Sequence, residues 1–344
     1  MKAPKVTVLM PVYNGEKYLQ ESIDSILNQS FHDFEFLIIN DGSTDNSAKI
    51  ISSCNDPRIR FINNEKRSGL IASLNNGFDL ASGEYVARMD CDDTSVKQRL
   101  SVQVNFMNKH KNTGVCGSFY YLTRDKKKAV TDLPLSDREI RCFLLFNSPI
   151  AHPAAMIRMS VVKKYNVRYN AEYIHAEDYD LWSRLSQLSG LQNISKKLLN
   201  YRVHDKQVSG DVNESVKKLK SVSAVRVRHL REFGVNPSKE EIHIHNLLGD
   251  GMAPVSIDEI KLAEQWLQKL NKLNDEKKLF DRGYFQKIIL ERWLRLCFNF
   301  FKGQGGIKYF YQSEIFSMIK LPAKRKLELV QSLYFSWKRW RIKN

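Results

Sequence analysis

Glu84-Tyr85-Val86-Ala87-Arg88-Met89-Asp90-Cys91-Asp92-Asp93 is the stretch that decides how this chain folds. An apolar run suited to a β-strand stops abruptly in three carboxylates. In extended backbone, residues two apart face the same side, so Asp90 and Asp92 reach one point together. Carboxylates with no adjoining His suit a hard cation such as Mg²⁺ or Mn²⁺, which keeps open positions for phosphate oxygens. The stretch reads as a seat for a metal and a diphosphate at the mouth of a sheet.

Working outward, Val6–Met10, Phe34–Ile39 and 58–62 also read as strands. Between them Tyr18, Leu19, Ile23, Ile26 and Leu27 share one helical face, as do Ile71, Leu74 and Phe78. Alternating strands and helices predict a mostly parallel sheet with right-handed crossovers and helices on both faces. Ligands of such sheets gather at the carboxyl ends of the strands. Those ends carry Pro11-Val12-Tyr13-Asn14-Gly15, Asn40-Asp41-Gly42-Ser43-Thr44-Asp45 and the Asp90–Asp93 cluster, so a nucleotide site on that edge is the economical reading. Beyond residue 100 the pattern is mixed, with Arg124–Lys128 as an exposed turn between strands. Glu177-Asp178 open a helix whose apolar stripe is Leu181, Trp182, Leu185 and Leu188.

The 344 residues suffice for one large domain with an appendage or for two domains. Five scattered cysteines predict free thiols in a reducing compartment, neither a zinc site nor a disulfide frame. No apolar run is long enough to span a bilayer, and the amino terminus lacks a signal-peptide pattern. The net charge of +16 calls for polyanionic company. Lys and Arg outnumber Asp and Glu by 26 to 15 after residue 210, but only by 28 to 23 before it. Chemistry is therefore expected in the first part and docking in the second, which reads as helical with breaks near Gly249–Gly251 and Gly303–Gly306.

Taken in order, Met10–Gly15, Asn40–Asp45, Ala87–Asp93 with Arg99-Leu100, His152-Pro153, Glu177–Trp182 and Tyr201-Arg202-Val203-His204 resemble the family-2 inverting glycosyltransferases of GT-A fold. The resemblance covers roughly residues 5–210. It implies a nucleotide-sugar-binding half over 1–110, an acceptor-binding catalytic half over 111–210, and a basic helical region over 211–344 for membrane or oligomer contact. Cys91 stands where Ala is more usual, and Val96-Lys97 where Pro often precedes Arg-Leu; neither removes a functional group.

The resemblance also implies roles. Asp41 would accept the uracil N3–H and select UDP-sugars; the plainer role is a helix cap, which suits Asp45 better. Pro11, Val12 and Tyr13 would wall the base, with Asn14 at the turn and Arg67 and Cys91 beside the donor. Asp92 would contact Mn²⁺ or Mg²⁺ directly, Asp90 would lie nearer the sugar nucleotide, and His204 would complete the metal shell. Asp93 would orient the donor sugar or only its own loop. Arg202 would meet the diphosphate. Asp178 is expected to be the catalytic base and Glu177 its substrate-binding neighbour, with His152 at the acceptor cleft.

At the carboxyl end, Val330, Leu333, Tyr334, Trp337 and Trp340 recur at helical spacing among Lys and Arg, which suits an anionic membrane surface. The implied activity is transfer of a hexose or N-acetylhexosamine from a UDP-sugar to a lipid-diphosphate-linked glycan of a surface polysaccharide such as O-antigen or capsule. The implied place is cytoplasmic, at the inner face of the cell membrane. A GDP- or dTDP-sugar donor is the alternative. A sugar nucleotidyltransferase would need a Gly-rich, Arg-bearing loop after the first strand, which is missing. A non-catalytic sugar-nucleotide binder is disfavoured because every catalytic position is filled. A nucleic-acid binder is disfavoured because the basic excess lacks a recognisable module.

Overall fold

A computed structural model describes residues 3–124, 127–204, 212–301 and 304–318, together with 328, 330 and 331. It divides into two compact units. The first comprises residues 1–137 and 148–222, the second residues 138–147 and 223–344.

In the first unit β1 (Val6–Val12), β2 (Phe34–Asp41), β3 (Ile59–Asn64) and β4 (Tyr85–Arg88) are the four strands read from the sequence. They pair in parallel in the order β3-β2-β1-β4. Between them run α1 (Glu16–Leu27), α2 (Ser47–Ser53) and α3 (Leu70–Leu80). Further pairing comes from β5 (Thr94–Ser95), β6 (Thr113–Arg124), β7 (Lys127–Val130), β8 (Met156–Arg158) and β9 (Gly190–Arg202). The sheet continues β4-β8-β6-β9-β5, with β7 on β6; β8 is antiparallel to both neighbours, and β6 and β9 are parallel. Arg124 and Lys127 pair as the facing ends of β6 and β7, and residues 125–126 of the expected turn lie outside the described residues.

Alternation decides which face each side chain meets. Val6, Val8 and Met10 join Leu19, Ile23 and Ile26 of α1 and Leu100, Val104 and Met107 of α4 (Arg99–Lys109) in one apolar layer. Leu9 points to the other face, where it packs so closely on α3 that a Cβ at Gly77 would lie 2.4 Å from its Cδ1. Three of the expected face residues, Tyr18, Leu27 and Ile71, are only half-buried.

The first strand runs two residues beyond its expected end because of register. Leu9 is the last residue of β1 opposite β4, opposite Arg88, and it accepts the Met89 N–H. Pro11 faces the same side, beyond the end of β4, so its missing N–H costs no ladder bond. Asn40 lies opposite Val12. The ends of β1, β2 and β4 thus open on one edge.

The segment 138–147 contains most of α5 (Asp137–Leu144) and contributes Cys142, Leu145 and Phe146 to the core of the second unit. That core is built by α9 (Lys239–Asp250), α10 (Ile257–Lys277), α11 (Arg282–Phe301), α12 (Gln304–Gln312), α13 (Glu314–Met318) and the end of α8 (Val212–Glu232). The break near residue 250 is a helix end, with Gly251 left-handed at φ 68°. Val330 is buried in this core, whereas Leu333, Tyr334, Trp337 and Trp340 lie outside the described residues. No helix among the described residues is long and apolar enough to cross a membrane.

Candidate active site

The loops after β1 and β2 are stitched together. Asn14 is left-handed at φ 49°, and its Oδ1 accepts the Thr44 N–H at 2.9 Å. The Asn14 N–H donates to Ser43 Oγ at 3.0 Å, and the Gly15 N–H to Ser47 Oγ at 2.9 Å. A Cβ on Gly15 would lie 2.9 Å from Cys91 Sγ, so this loop presses on the one after β4. Pro11 and Val12 are buried, while the exposed Tyr13 stacks under Arg67, whose guanidinium carbon lies 4.0 Å from the ring centre.

Asp41 caps neither neighbouring helix but ties the end of β2 to the turn that leads into α3. Its Oδ1 accepts the Ser68 N–H at 2.7 Å and hydroxyl at 2.6 Å, and its Oδ2 the Gly69 N–H at 2.8 Å. Burial raises the Asp41 pKa, but these bonds and one from Asn64 outweigh it and hold the carboxyl below its usual range. Asp45 serves the nearer helix, accepting the Ser47 N–H at 2.9 Å and the Glu16 N–H at 3.0 Å.

The acidic cluster is held from three sides. On α1, the Ser22 hydroxyl donates to the carbonyls of Cys91 (2.8 Å) and Asp93 (2.6 Å). On α4, the buried Arg99 donates to the Arg88 carbonyl at 2.6 Å. From β9, the Arg202 N–H donates to Asp93 Oδ1 at 2.9 Å and its Nε–H to the Asp92 carbonyl at 3.0 Å. The Arg202 guanidinium also pairs with Glu21 and lies over Tyr18, 4.3 Å from the ring centre. Arg202, expected at the diphosphate, braces the acidic loop through these bonds. Two residues on, His204 Nε2 lies 3.1 Å from Asp92 Oδ2.

Asp90, Asp92 and Asp93 each offer an oxygen within 4.8 Å of the others. Asp93 is fully buried, and its Oδ2 has no hydrogen-bond partner among the described residues. That burial and the bond from the Arg202 N–H favour the loop role. Burial, then the neighbouring carboxylates, pushes Asp93 well above the carboxylate range. Burial likewise raises Asp90, which is ion-paired with Arg88, and the Cys91 thiol, which is no nucleophile. Crowded carboxylates, one with an orphaned oxygen, and an adjoining imidazole fit a divalent cation of the Mg²⁺ or Mn²⁺ kind.

The second carboxylate pair opens α7 (Glu177–Ser186). His175, left-handed at φ 63°, turns the chain into this helix and bonds through its ring to Glu214 on α8. Asp178 accepts the Tyr179 N–H at 2.7 Å and the Ser148 hydroxyl at 3.3 Å. Burial, reinforced by Asp178, pushes Glu177 up to about 7. Burial also raises Asp178, against pulls from its hydrogen bonds and from Lys218. Leu181, Trp182 and Leu185 are buried as expected, but Leu188 lies past the helix end and is 36% exposed.

His152, expected at an acceptor cleft, lies beside the second carboxylate pair, its Nδ1 4.0 Å from Glu177 Oε1. It is buried, with its Nε2 2.9 Å from the Tyr169 hydroxyl and its ring edge-on to Trp182. Burial, then the charge of Arg88, pushes its pKa well below the usual value, which favours the neutral ring.

Sequence reasoning missed Arg88. It is 3% exposed, pairs with Asp90, and its Nε has no hydrogen-bond partner among the described residues. Its charge opposes the burial that raises Asp90, Glu177 and Asp178. The available signal was a charge inside a strand that is otherwise apolar and wholly buried.

A model of the family described as "Glycosyl transferase family 2" matches residues 7–165. An uncharacterized glycosyltransferase of Haemophilus influenzae is 34% identical over 233 residues, covering 63% of this chain and 72% of its own. The putative glycosyltransferase EpsE of Bacillus subtilis is 34% identical over 206 residues, covering 59% of this chain and 73% of its own. Among solved structures, S. aureus TarS 1–349 in complex with UDP-GlcNAc aligns with a TM-score of 0.56 at 18% identity, over 85% of this chain and 87% of that one. The mannosyltransferase PcManGT from Pyrobaculum calidifontis, in complex with GDP-Man and Mn²⁺, aligns with a TM-score of 0.52 at 12% identity, over 98% and 87%. These two share the fold with the chain described here. The strand-end site, the family match and the relatives agree, and the chain belongs to glycosyl transferase family 2: it is a glycosyltransferase of GT-A fold with a helical carboxyl-terminal unit.

Proposed function

We propose that the protein is a metal-dependent inverting transferase that moves a hexose or N-acetylhexosamine from a UDP-sugar to a hydroxyl of a lipid-diphosphate-linked glycan, in the synthesis of a surface polysaccharide. The observation that carries this reading is the pairing of two acidic groups in one unit: Asp90, Asp92 and Asp93 with His204, and Glu177 with Asp178.

Asp92, His204 and Asp90 would hold Mn²⁺ or Mg²⁺, which when bound neutralises charge developing on the diphosphate. Tyr13, with Arg67 stacked on it, offers an exposed surface to the base, and Pro11, Val12 and Asn14 form the rest of that wall. Uracil would read Asp41 only in exchange for one of the bonds from Ser68, Gly69 or Asn64, so base choice is the sharpest question at this site.

Asp178 suits the base role better than Glu177. Its carboxylate is oriented by the Tyr179 N–H at 2.7 Å and the Ser148 hydroxyl at 3.3 Å. Asp178 takes the acceptor hydroxyl's proton as that oxygen bonds to the anomeric carbon. The bond to the UDP oxygen breaks on the opposite face and leaves its electron pair on UDP. Glu177 binds substrate beside it.

The basic excess and the absence of a spanning helix among the described residues are compatible with work at the inner membrane surface. Calorimetric titration of UDP, GDP and dTDP, each with Mn²⁺ and again with EDTA, tests the donor side. Tight binding of UDP that requires metal is expected. Preference for GDP or dTDP would overturn the uracil role of Asp41, and binding unaffected by EDTA would overturn the metal role.

A further inference from the structure

His152 and Tyr169 have no part in the chemistry assigned above, yet both are buried against the second carboxylate pair. Tyr169 is 3% exposed and is held by α3. Its N–H donates to Asn75 Oδ1 at 2.8 Å, and its carbonyl accepts from Asn75 Nδ2 at 3.0 Å. Its ring lies against Phe78, with centres 5.2 Å apart. An asparagine closed on both backbone groups of one residue fixes where its side chain starts, as a support for a site must.

From there the Tyr169 hydroxyl reaches His152 Nε2 at 2.9 Å. His152 opens a short 3-10 turn, His152–Ala154, and Trp182 of α7 meets its ring edge-on. The other ring nitrogen, Nδ1, lies 4.0 Å from Glu177 Oε1. Hydroxyl, imidazole and carboxylate thus stand in line, although they come from three separate segments.

The protons can be placed by counting. Burial raises the Tyr169 pKa, so its hydroxyl keeps its proton. Among the described residues His152 is the acceptor that hydroxyl has. A neutral imidazole carries one proton and accepts at its other nitrogen. With Nε2 accepting from Tyr169, the proton sits on Nδ1, the nitrogen that faces Glu177. The other groups that act on Glu177 are Asp178 on its own helix, Arg88 of β4, and the backbone N–H groups of His175 and of Glu177 itself.

We propose that Tyr169 and His152 are positioning residues for Glu177: the hydroxyl fixes the imidazole proton on Nδ1, and that N–H draws in one carboxylate oxygen and leaves the other to accept a hydrogen bond from a substrate hydroxyl. This deepens the transferase reading and rests on it. A ring without Tyr169 would take either tautomer, and Glu177 would lose its standing donor.

The test is NMR of the full chain with nitrogen-labelled histidine and carboxyl-labelled glutamate. The His152 and Glu177 signals are assigned by their loss in His152→Leu and Glu177→Gln. The expected wild-type result is a His152 proton on Nδ1 and a Glu177 midpoint at about 7. In Tyr169→Phe the ring populates both tautomers, and the Glu177 midpoint rises by about one pH unit, the size of one hydrogen bond to a charged group. His152→Leu shows a similar rise. His152→Asn, whose amide places an N–H where Nδ1 stood, brings the midpoint back toward the wild-type value. A wild-type proton on Nε2 would overturn the proposal. So would a midpoint unmoved in both Tyr169→Phe and His152→Leu, or a His152→Asn protein that titrates like His152→Leu. Calorimetric titration with UDP and Mg²⁺ on the same preparations separates the two readings. UDP binding alongside a proton on Nε2 sinks the positioning role alone. The expected tautomer without UDP binding sinks the donor assignment alone.

Discussion

Arg226 of the helical unit and Arg88 of the sheet unit are buried cations handled in opposite ways. In the helical unit, Arg226 is 1% exposed and closed on every side: it donates to the Phe146 carbonyl at 2.7 Å, to Asp250 at 2.7 Å and to Asn246 Oδ1 at 3.2 Å. Gly249 makes room for it, since a Cβ there would lie 2.4 Å from the Arg226 Cζ. His245 donates from Nε2 to the Leu145 carbonyl at 2.8 Å and accepts the Trp266 indole N–H at Nδ1 at 3.1 Å. Burial pushes its pKa down to about 3, so it stays neutral. In the sheet unit, Arg88 and Asp93 are buried with polar atoms unmatched, and Glu177 is buried beside a like charge. Closed networks hold a fold together; open ones cost stability and persist where a ligand completes them. That contrast points to chemistry in the sheet unit and scaffolding in this part of the helical one.

The largest expected effect that would break the contrast is on turnover. Asp178→Asn should lower kcat by about a thousandfold, in the range for a lost general base, while UDP binding by calorimetry stays within error. Full turnover in this variant would remove Asp178 from the chemistry. Next, Asp92→Ala should abolish metal-dependent UDP binding. His204→Ala removes a proposed ligand and should weaken metal affinity by more than the roughly 10–100-fold lost when only a ligand's support is cut back; Mn²⁺ titration reads both.

On the scaffold side, Asp250→Ala leaves the buried Arg226 without its carboxylate. It should cost about 3 kcal/mol of stability by denaturant unfolding, with UDP affinity unchanged. A changed UDP affinity would blur the division between the units.

The smallest effect sharpens the contrast through pH. Glu177 rises in the fold from its usual 4.5 to about 7. The folded state therefore holds this proton where the unfolded state has released it. The stability contribution is fully present below pH 4.5 and is lost as pH rises through about 7. Glu177→Gln should consequently melt higher than wild type at pH 8 and converge with it near pH 4. A constant difference across that range would mean that Glu177 does not titrate as described.

The parallel half of the fold was legible because each element there is local. β2 and β4 stand out as buried apolar runs, and α1 as a helical stripe at Leu19, Ile23 and Ile26. The antiparallel half was not legible. The three-residue β8 owes its place to pairing with β4 and β6, which no local pattern announces, and β9 shifts register along β6. At the site, spacing revealed which carboxylates stand near strand ends, but not their partners. Asp41 looked available and is held by Ser68 and Gly69. Arg202 was read only as a ligand contact, and its bonds to the acidic loop were not visible in the spacing. Partner identity depends on loops that meet only in the fold, and for that reason Arg88, alone in a buried strand, passed as part of a motif.

The most direct test is a crystal grown with UDP and Mn²⁺ and measured at the manganese absorption edge. The account predicts one anomalous peak beside bound UDP, coordinated by Asp92 and His204. Bound UDP with no peak there, or a peak held by other residues, would contradict it.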